Sequence, residues 1–280
     1  MPESPEVEAL TRFLDDEASG REIVAVDVLE FRTVKTRATP PAALVGRTIS
    51  GARRYGKHVA LAVGDANLVV SLGRHGWARW HSGEPRHEHS SAETSVAPPA
   101  LAAFDLGDDT TLEVTDAGTW VSLGLFVVGD PAEVPAIAKL GPDPADPSFT
   151  RAQFDTALGG RRKQIKAILQ EQESIGGIGN AYSDEILHLA QVSPVAHAAA
   201  LRSDETDRLF DATLTTVRGA IEARRGIPID GLKAAKVASM RVHRRGGETC
   251  VTCGDTIRDF TFSSTSAQYC PTCQTDGAVL

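Results

Sequence analysis

The sequence predicts an α+β multidomain protein: an N-terminal β domain built as a sandwich or barrel, a helical domain, and a small C-terminal four-cysteine module. Three observations carry this. Short β-rich runs separated by Gly, Asp and Pro occupy about residues 20 to 130. Past Gly141-Pro142-Asp143-Pro144-Ala145-Asp146-Pro147 the apolar period becomes helical. Two Cys-x2-Cys pairs close the chain. The three parts are expected at 1–135, 136–226 and 227–280.

The chain opens Met1-Pro2-Glu3-Ser4-Pro5-Glu6-Val7-Glu8. Proline fits the first turn of a helix, and Glu3, Glu6 and Glu8 complement its N-terminal dipole. Strands are expected at 23–29, 58–63, 67–70 and 123–128, and 82–99, rich in Ser, Glu, His and Pro, reads as a long exposed loop. The Gly141–Pro147 run is the expected interdomain linker. Ser203 is the expected N-cap of a helix with Asp204 and Glu205 in its first turn. Phe210, Leu214, Val217 and Ile221 follow at helical spacing as a core stripe, and Gly226 marks the stop.

With 280 residues, 41% hydrophobic and 24% charged, the composition is that of a soluble globular protein. No run approaches the length of a membrane helix and the start lacks a signal pattern, so a cytoplasmic protein with reduced cysteines is expected. A net charge of −8 argues mildly against nucleic acid, but basic residues cluster at Arg53-Arg54-Tyr55-Gly56-Lys57, at Arg161-Arg162-Lys163 with Lys166, and at Arg241-Val242-His243-Arg244-Arg245. A solvated surface is the default reading of each run alone.

Cys250-x2-Cys253-x16-Cys270-x2-Cys273 has the spacing of a tetrahedral four-thiolate zinc site. Four protein ligands leave no open position, so this zinc organises and does not catalyse. Gly176-Gly177-Ile178-Gly179-Asn180 places a glycine turn at the mouth of a helix. It reads either as a tight helix–helix turn or as an anion site whose N–H groups and Asn180 hold a phosphate. The glycine spacing is not that of a dinucleotide fingerprint.

Pro2 has a chemical reading beside the structural one. Removal of Met1 would leave its ring nitrogen as a free secondary amine, and an α-amino group with a pKa of about 8 is partly neutral near pH 7. Glu3 would stand beside it as an acid or base.

Taken together, the opening residues, Tyr55-Gly56-Lys57, Gly177-Ile178-Gly179-Asn180-x-Tyr182-x-Asp184-Glu185 and the four-cysteine finger resemble, in the same order and over essentially the whole chain, the formamidopyrimidine-DNA glycosylase/endonuclease VIII family. The resemblance implies an N-terminal β-sandwich, a helix–two-turns–helix domain and a zinc finger, with damaged duplex DNA bound in the cleft between two lobes by a monomer. It assigns Pro2 as Schiff-base nucleophile, Glu3 as proton donor, Lys57 as a phosphate contact that assists elimination, and Asn180 as a phosphate contact. His87 and Arg161 match further DNA-contact positions. Glu6 matches a motif glutamate near the site, its other reading being a first-turn helix residue. The implied activity is base excision followed by abasic-site cleavage, and the implied location is cytoplasmic, on the nucleoid.

Three departures from the family pattern stand out. The finger arginine is replaced by Thr265, which puts δ-elimination in doubt. The void-filling methionine is Arg74, and the Arg–Phe pair is Gly118 and Trp120. Trp120 reads either as a wedge between bases or as a core residue. The segment 227–241 is shorter than the family's lesion-capping loop. The alternative function is therefore a damaged-DNA binding protein of the same fold with weak or no excision.

Overall fold

A computed structural model describes residues 2–83, 97–262 and 265–280, with backbone only at Phe262 and Thr265. His87 and most of the 82–99 stretch lie outside the described residues, and so does the side chain of Thr265. The chain forms two compact units: Met1–Pro2, Val7–Ala138 and Pro228–Asp230 in the first, Glu3–Glu6, Lys139–Ile227 and Gly231–Leu280 in the second.

The first unit takes most of helix α1 (Ser4–Ala18), whose Val7, Leu10, Leu14 and Ala18 recur at helical spacing and are buried. It also holds eight strands: β1 (Ala25–Val28), β2 (Ile49–Tyr55), β3 (His58–Val63), β4 (Ala66–Ser71), β5 (Gly76–His81), β6 (Ala100–Asp105), β7 (Thr111–Asp116) and β8 (Gly124–Val128). They make two antiparallel four-stranded sheets, β1-β6-β7-β5 and β2-β3-β4-β8, the two layers of a β-sandwich. Leu61 faces Leu68, and Val70 faces Leu125, so the second sheet buries aliphatic pairs across neighbouring strands. Each expected strand exists, with 58–63 matched at both ends and the other ends within two residues. A short helix α2 (Pro135–Ala138) ends the unit.

The second unit is helical: α3 (Arg151–Leu158), α4 (Ile165–Gln170), α5 (Asn180–Ala190), α6 (Ser203–Ala223) and α7 (Leu232–Ser239). Phe149, Phe154, Ile168, Leu187, Leu209 and Val217 belong to one core. Two sequence expectations need correction. Ser203 is the first helical residue, and Arg202 is the cap, its N–H donating to Glu205 Oε2 at 2.8 Å. The core stripe of α6 is also offset: Leu209 and Thr213 are buried with Val217 and Ile221, while Phe210 and Leu214 are only partly covered. Phe210 uses its remaining surface to stack on Phe149, centroids 6.1 Å apart.

A hairpin of β9 (Arg258–Phe262) and β10 (Thr265–Tyr269) and a last turn α8 (Pro271–Gln274) complete this unit. Val242, Ile257, Cys250 and Cys270 pack into their own small cluster. No helix among the described residues is long and apolar enough to cross a membrane.

Candidate active site

The glycine turn before α5 and the first residues of the chain are built against each other. Ser4 N–H donates to Gly177 O at 3.0 Å. Gly177 has φ +87°, and a Cβ there would fall 1.6 Å from Ser4 Oγ, so only glycine permits the approach. The consequence appears at Glu3. Its buried carboxylate accepts the N–H of Gly179, that of Ala181 at 3.1 Å and that of Tyr182 at 3.4 Å. The start of α5 is therefore an anion site, but its anion is the protein's own Glu3 and not a phosphate. That replaces the phosphate reading of these backbone groups.

Glu6 is held with equal completeness. Tyr182 Oη donates to Glu6 Oε1 at 2.6 Å, Arg224 Nε reaches the same oxygen at 3.1 Å, and Glu3 N–H points to Oε2 at 3.3 Å. Burial, with the neighbouring negative charge of Glu6, drives the Tyr182 hydroxyl far above its ordinary pKa, so it stays a proton donor in this bond. Lys236 Nζ bridges the two carboxylates, 3.1 Å from Glu3 Oε1 and 3.0 Å from Glu6 Oε2. Sequence reasoning missed Lys236 and Arg224, and it placed Tyr182 in a motif without a role for its hydroxyl. Their partners lie more than 170 positions away along the chain.

Deeper in the helical unit, Lys166 Nζ pairs with Asp184 Oδ1 at 2.5 Å and donates to Ser183 Oγ at 3.0 Å. Burial lowers the Lys166 pKa, and Asp184 opposes that shift. His243 Nδ1 meets the other Asp184 oxygen at 2.7 Å. Glu185 accepts the N–H groups of Arg241, Val242 and His243 at 2.9, 3.0 and 2.9 Å, which ties the third basic run to α5. Within that run only Arg241 and Arg244 are exposed.

The other candidate residues are placed as follows. Pro2 is buried and directly precedes Glu3. Lys57 is half-buried in the two-residue turn joining β2 and β3, with Gly56 at φ +56° ahead of it. Arg54 of the same run is tied to Glu8 at 2.8 Å. Asn180 begins α5, its amide accepting from Gln170 Nε2 at 3.2 Å and donating to Ser266 Oγ at 3.4 Å. Arg161 pairs with Glu171 at 2.7 Å and with Ser174 Oγ at 2.9 Å. Hydrogen bonds from Arg161, Lys163 and Ser174 hold the Glu171 carboxyl down at about 2.

Arg74 and Trp120 occupy two loops of the first unit that are bonded together. Arg74 N–H donates to Ser122 Oγ at 2.9 Å. Ser122 in turn donates through N and Oγ to Asp116, at 2.7 and 2.8 Å, beside bonds to Asp116 from the N–H groups of Gly118 and Leu123. Burial works against the Asp116 charge, and these four bonds more than reverse it, leaving its pKa below the ordinary value. Gly118 fits closely, since a Cβ there would lie 2.9 Å from His75 Cδ2. On this fixed loop Trp120 is 81% exposed, which rules out the core reading.

The four cysteine Sγ atoms lie within 4.8 Å of one another. Cys253 and Cys270 sulfurs are 3.3 Å apart and those of Cys250 and Cys273 3.9 Å, against about 3.8 Å between ligands of a tetrahedral zinc with 2.3 Å bonds. Four thiolates at this spacing suit zinc. His188 Nε2, from α5, approaches Cys250 Sγ at 3.3 Å.

Comparison with known proteins agrees with this geometry. The formamidopyrimidine-DNA glycosylase N-terminal domain matches residues 1–117, the H2TH domain of the same enzymes matches 140–229, and the zinc finger found in FPG and IleRS matches 247–275. The four cysteines are thus the site of one structural zinc. A formamidopyrimidine-DNA glycosylase of Bacillus cereus is 31% identical over 286 residues, covering 98% of this chain and 99% of its own. One from a Parafrankia species is 33% identical over 306 residues, covering 98% of each. Among solved structures, MutM bound to DNA containing carbocyclic 8-oxo-G superposes with a TM-score of 0.84 at 26% identity, over 98% of this chain and 100% of that one. Lactococcus lactis FPG bound to FAPY-dG DNA gives 0.83 at 27% identity, over 97% and 99%. On full-length likeness in sequence and fold, this chain belongs to the formamidopyrimidine-DNA glycosylase family.

Proposed function

We propose that the protein is a base-excision repair DNA glycosylase with abasic-site lyase activity, acting on damaged duplex DNA through the amine of Pro2. The observation that carries this reading is the fixed carboxylate of Glu3, one residue from Pro2 and held by the N–H groups of Gly179, Ala181 and Tyr182. A carboxylate held so firmly beside a latent secondary amine suits chemistry at a sugar carbon.

With Met1 removed, the Pro2 nitrogen bonds to C1′ as the C1′–base bond breaks. The base leaves with the electron pair and takes up the proton lost from the amine. The C1′–O4′ bond then opens, its electrons pass to O4′, and Glu3, entering this step in its protonated form, supplies the proton and is left as the carboxylate. The nitrogen lone pair completes an iminium ion, which acidifies C2′–H; the Glu3 carboxylate takes that proton, the C–H electrons form the C2′–C3′ double bond, and the C3′–O bond breaks to expel the 3′ phosphate by β-elimination. Lys57, Arg161 and Asn180 are proposed phosphate contacts, with His87 a further one. Arg74 and Trp120 are proposed to enter the space the flipped nucleotide leaves. Zinc, held by Cys250, Cys253, Cys270 and Cys273, fixes the β9–β10 hairpin and takes no part in bond changes.

The replacement of the finger arginine by Thr265 and the presence of Gly118 favour β-elimination alone, or a second reading as a damage-binding relative. Borohydride trapping on duplex DNA with one abasic site separates the two. A covalent adduct with the native terminus, and none when a residue is added ahead of Pro2, is the expected result. Tight binding without an adduct establishes the binder.

A further inference from the structure

Lys236 stands in the last turn of α7, with its side chain 12% exposed. Besides its bonds to Glu3 and Glu6, its Nζ lies 4.7 Å from the centroid of the Tyr182 ring. Glu3 and Glu6 are paired here with Arg224 and Lys236, and the side chains of Glu3, Glu6 and Arg224 are exposed by 3% or less. Arg224 is committed to Glu6 and to Ser239 Oγ at 2.8 Å. Lys166 on α4 also feels the Glu3 charge, but its ammonium is bonded to Asp184. Lys236 thus brings a positive charge to within bonding distance of Glu3 and joins it to Glu6.

An ammonium suits this place. It offers three donors from one point and can serve two carboxylates at once. Its removal would leave two buried carboxylates side by side with Arg224 bonded to only one of them, and like charges so placed repel and turn apart. The peptide N–H groups on Glu3 limit where that carboxylate can go, while the bridge to Glu6 sets its remaining freedom.

We propose that Lys236 is a positioning residue for the reaction at the sugar: through its bridge to Glu6 it holds the Glu3 carboxyl group in the orientation from which, once protonated, it delivers its proton to O4′. This rests on the proposed roles of Pro2 and Glu3. It acts through Glu3 and not on the DNA, so it should govern a rate and not an affinity.

The test uses the full-length zinc-loaded chain and two probes: duplex DNA with one abasic site for the single-turnover rate of borohydride-trapped adduct, and the same duplex with a tetrahydrofuran site for Kd. Lys236→Met is expected to slow adduct formation on the order of 100-fold, the scale of a lost acid–base contribution, with Kd held within about threefold. Lys236→Arg, which keeps charge and donors, should recover most of the rate. A Lys236→Met rate equal to wild type overturns the proposal, as does a loss confined to Kd. If Lys236→Met is too unstable to assay, Lys236→Gln with Glu6→Gln keeps the buried charges balanced. A rate in that pair equal to wild type shows that the bridge is not needed and also overturns the proposal. Absence of any adduct from the wild type defeats instead the proposed function.

Discussion

Gly177 and Ser4 approach so closely that no side chain fits between them: an added Cβ on Gly177 would meet Ser4 Oγ at 1.6 Å, at a backbone φ of +87°. The contact matters because Glu3, one residue before Ser4, is bonded to the N–H groups that follow Gly177. Gly177→Ala is therefore expected to cost about 3 kcal/mol, combining left-handed backbone strain with overpacking. Trapping on abasic DNA should fall further than a stability loss alone explains. Urea unfolding beside single-turnover trapping checks both. Full trapping by a variant of unchanged midpoint would show that the approach is not needed.

Arg224 and Glu6 form a buried ion pair at 3.1 Å, their side chains exposed by only 2% and 3%. Removing Arg224 leaves the buried Glu3 and Glu6 carboxylates to share the one ammonium of Lys236, so Arg224→Met should destabilise by about 3–5 kcal/mol. Adding Glu6→Gln to it should return part of that loss, because one of the two carboxylates is gone. A double-mutant cycle in urea measures the recovery, and strictly additive losses would deny that the pair is coupled.

How much of this was legible in the sequence depends on the range of each interaction. The strands, the α6 period and the zinc spacing are local patterns, and Cys250 to Cys273 could be read as a ligand set from spacing alone. The pairing of Glu3 with Lys236 spans 233 positions, and no local pattern announces it. Lys236 lies in a segment that reads as a shortened loop, yet Leu232, Ala234, Ala235 and Lys236 are good helix formers, and the segment folds as α7. The glycine turn was legible as an anion site, but not the identity of the anion. Arg161 is legible as part of a basic run and as a DNA-contact position, but its ion-pair partner Glu171 lies 10 residues on, past a helix.

Trp120 makes the loop reading testable. It is 81% exposed on a segment anchored by Asp116, so it should contribute almost nothing to stability. Trp120→Ala should leave the urea midpoint unchanged. It should weaken binding to duplex DNA with a tetrahydrofuran site by about tenfold, the scale of one lost base–aromatic contact. An unaltered Kd would remove Trp120 from the DNA interface.

The zinc site should be separable from the chemistry. Chelation, or Cys270→Ser, is expected to release the metal and unpack Val242 and Ile257 from the cysteine cluster. DNA affinity should drop with the hairpin lost. Metal analysis should find one zinc per chain before chelation and none after, and retention of DNA affinity by the metal-free chain would show that the finger is dispensable for binding.

His58, next to Lys57 at the start of β3, gives the fold a pH dependence of defined sign. Burial, with the positive charge of Lys57 adding to it, lowers its pKa from 6.5 to about 4 in the folded chain. Between those values the unfolded chain binds more protons than the folded one, so stability rises with pH across the window. The full contribution is present above about pH 6.5 and is lost as the pH falls toward 4. His58→Gln removes the titration, and the drop in urea midpoint between pH 7.5 and pH 5 should shrink in that variant. Glu171, about 2 in the folded chain against an ordinary 4.5, loses its contribution mostly below pH 5 and does so equally in wild type and variant. Equal drops in wild type and variant would mean that His58 is as readily protonated in the folded chain as in the unfolded one, and the burial of its ring would then need another explanation.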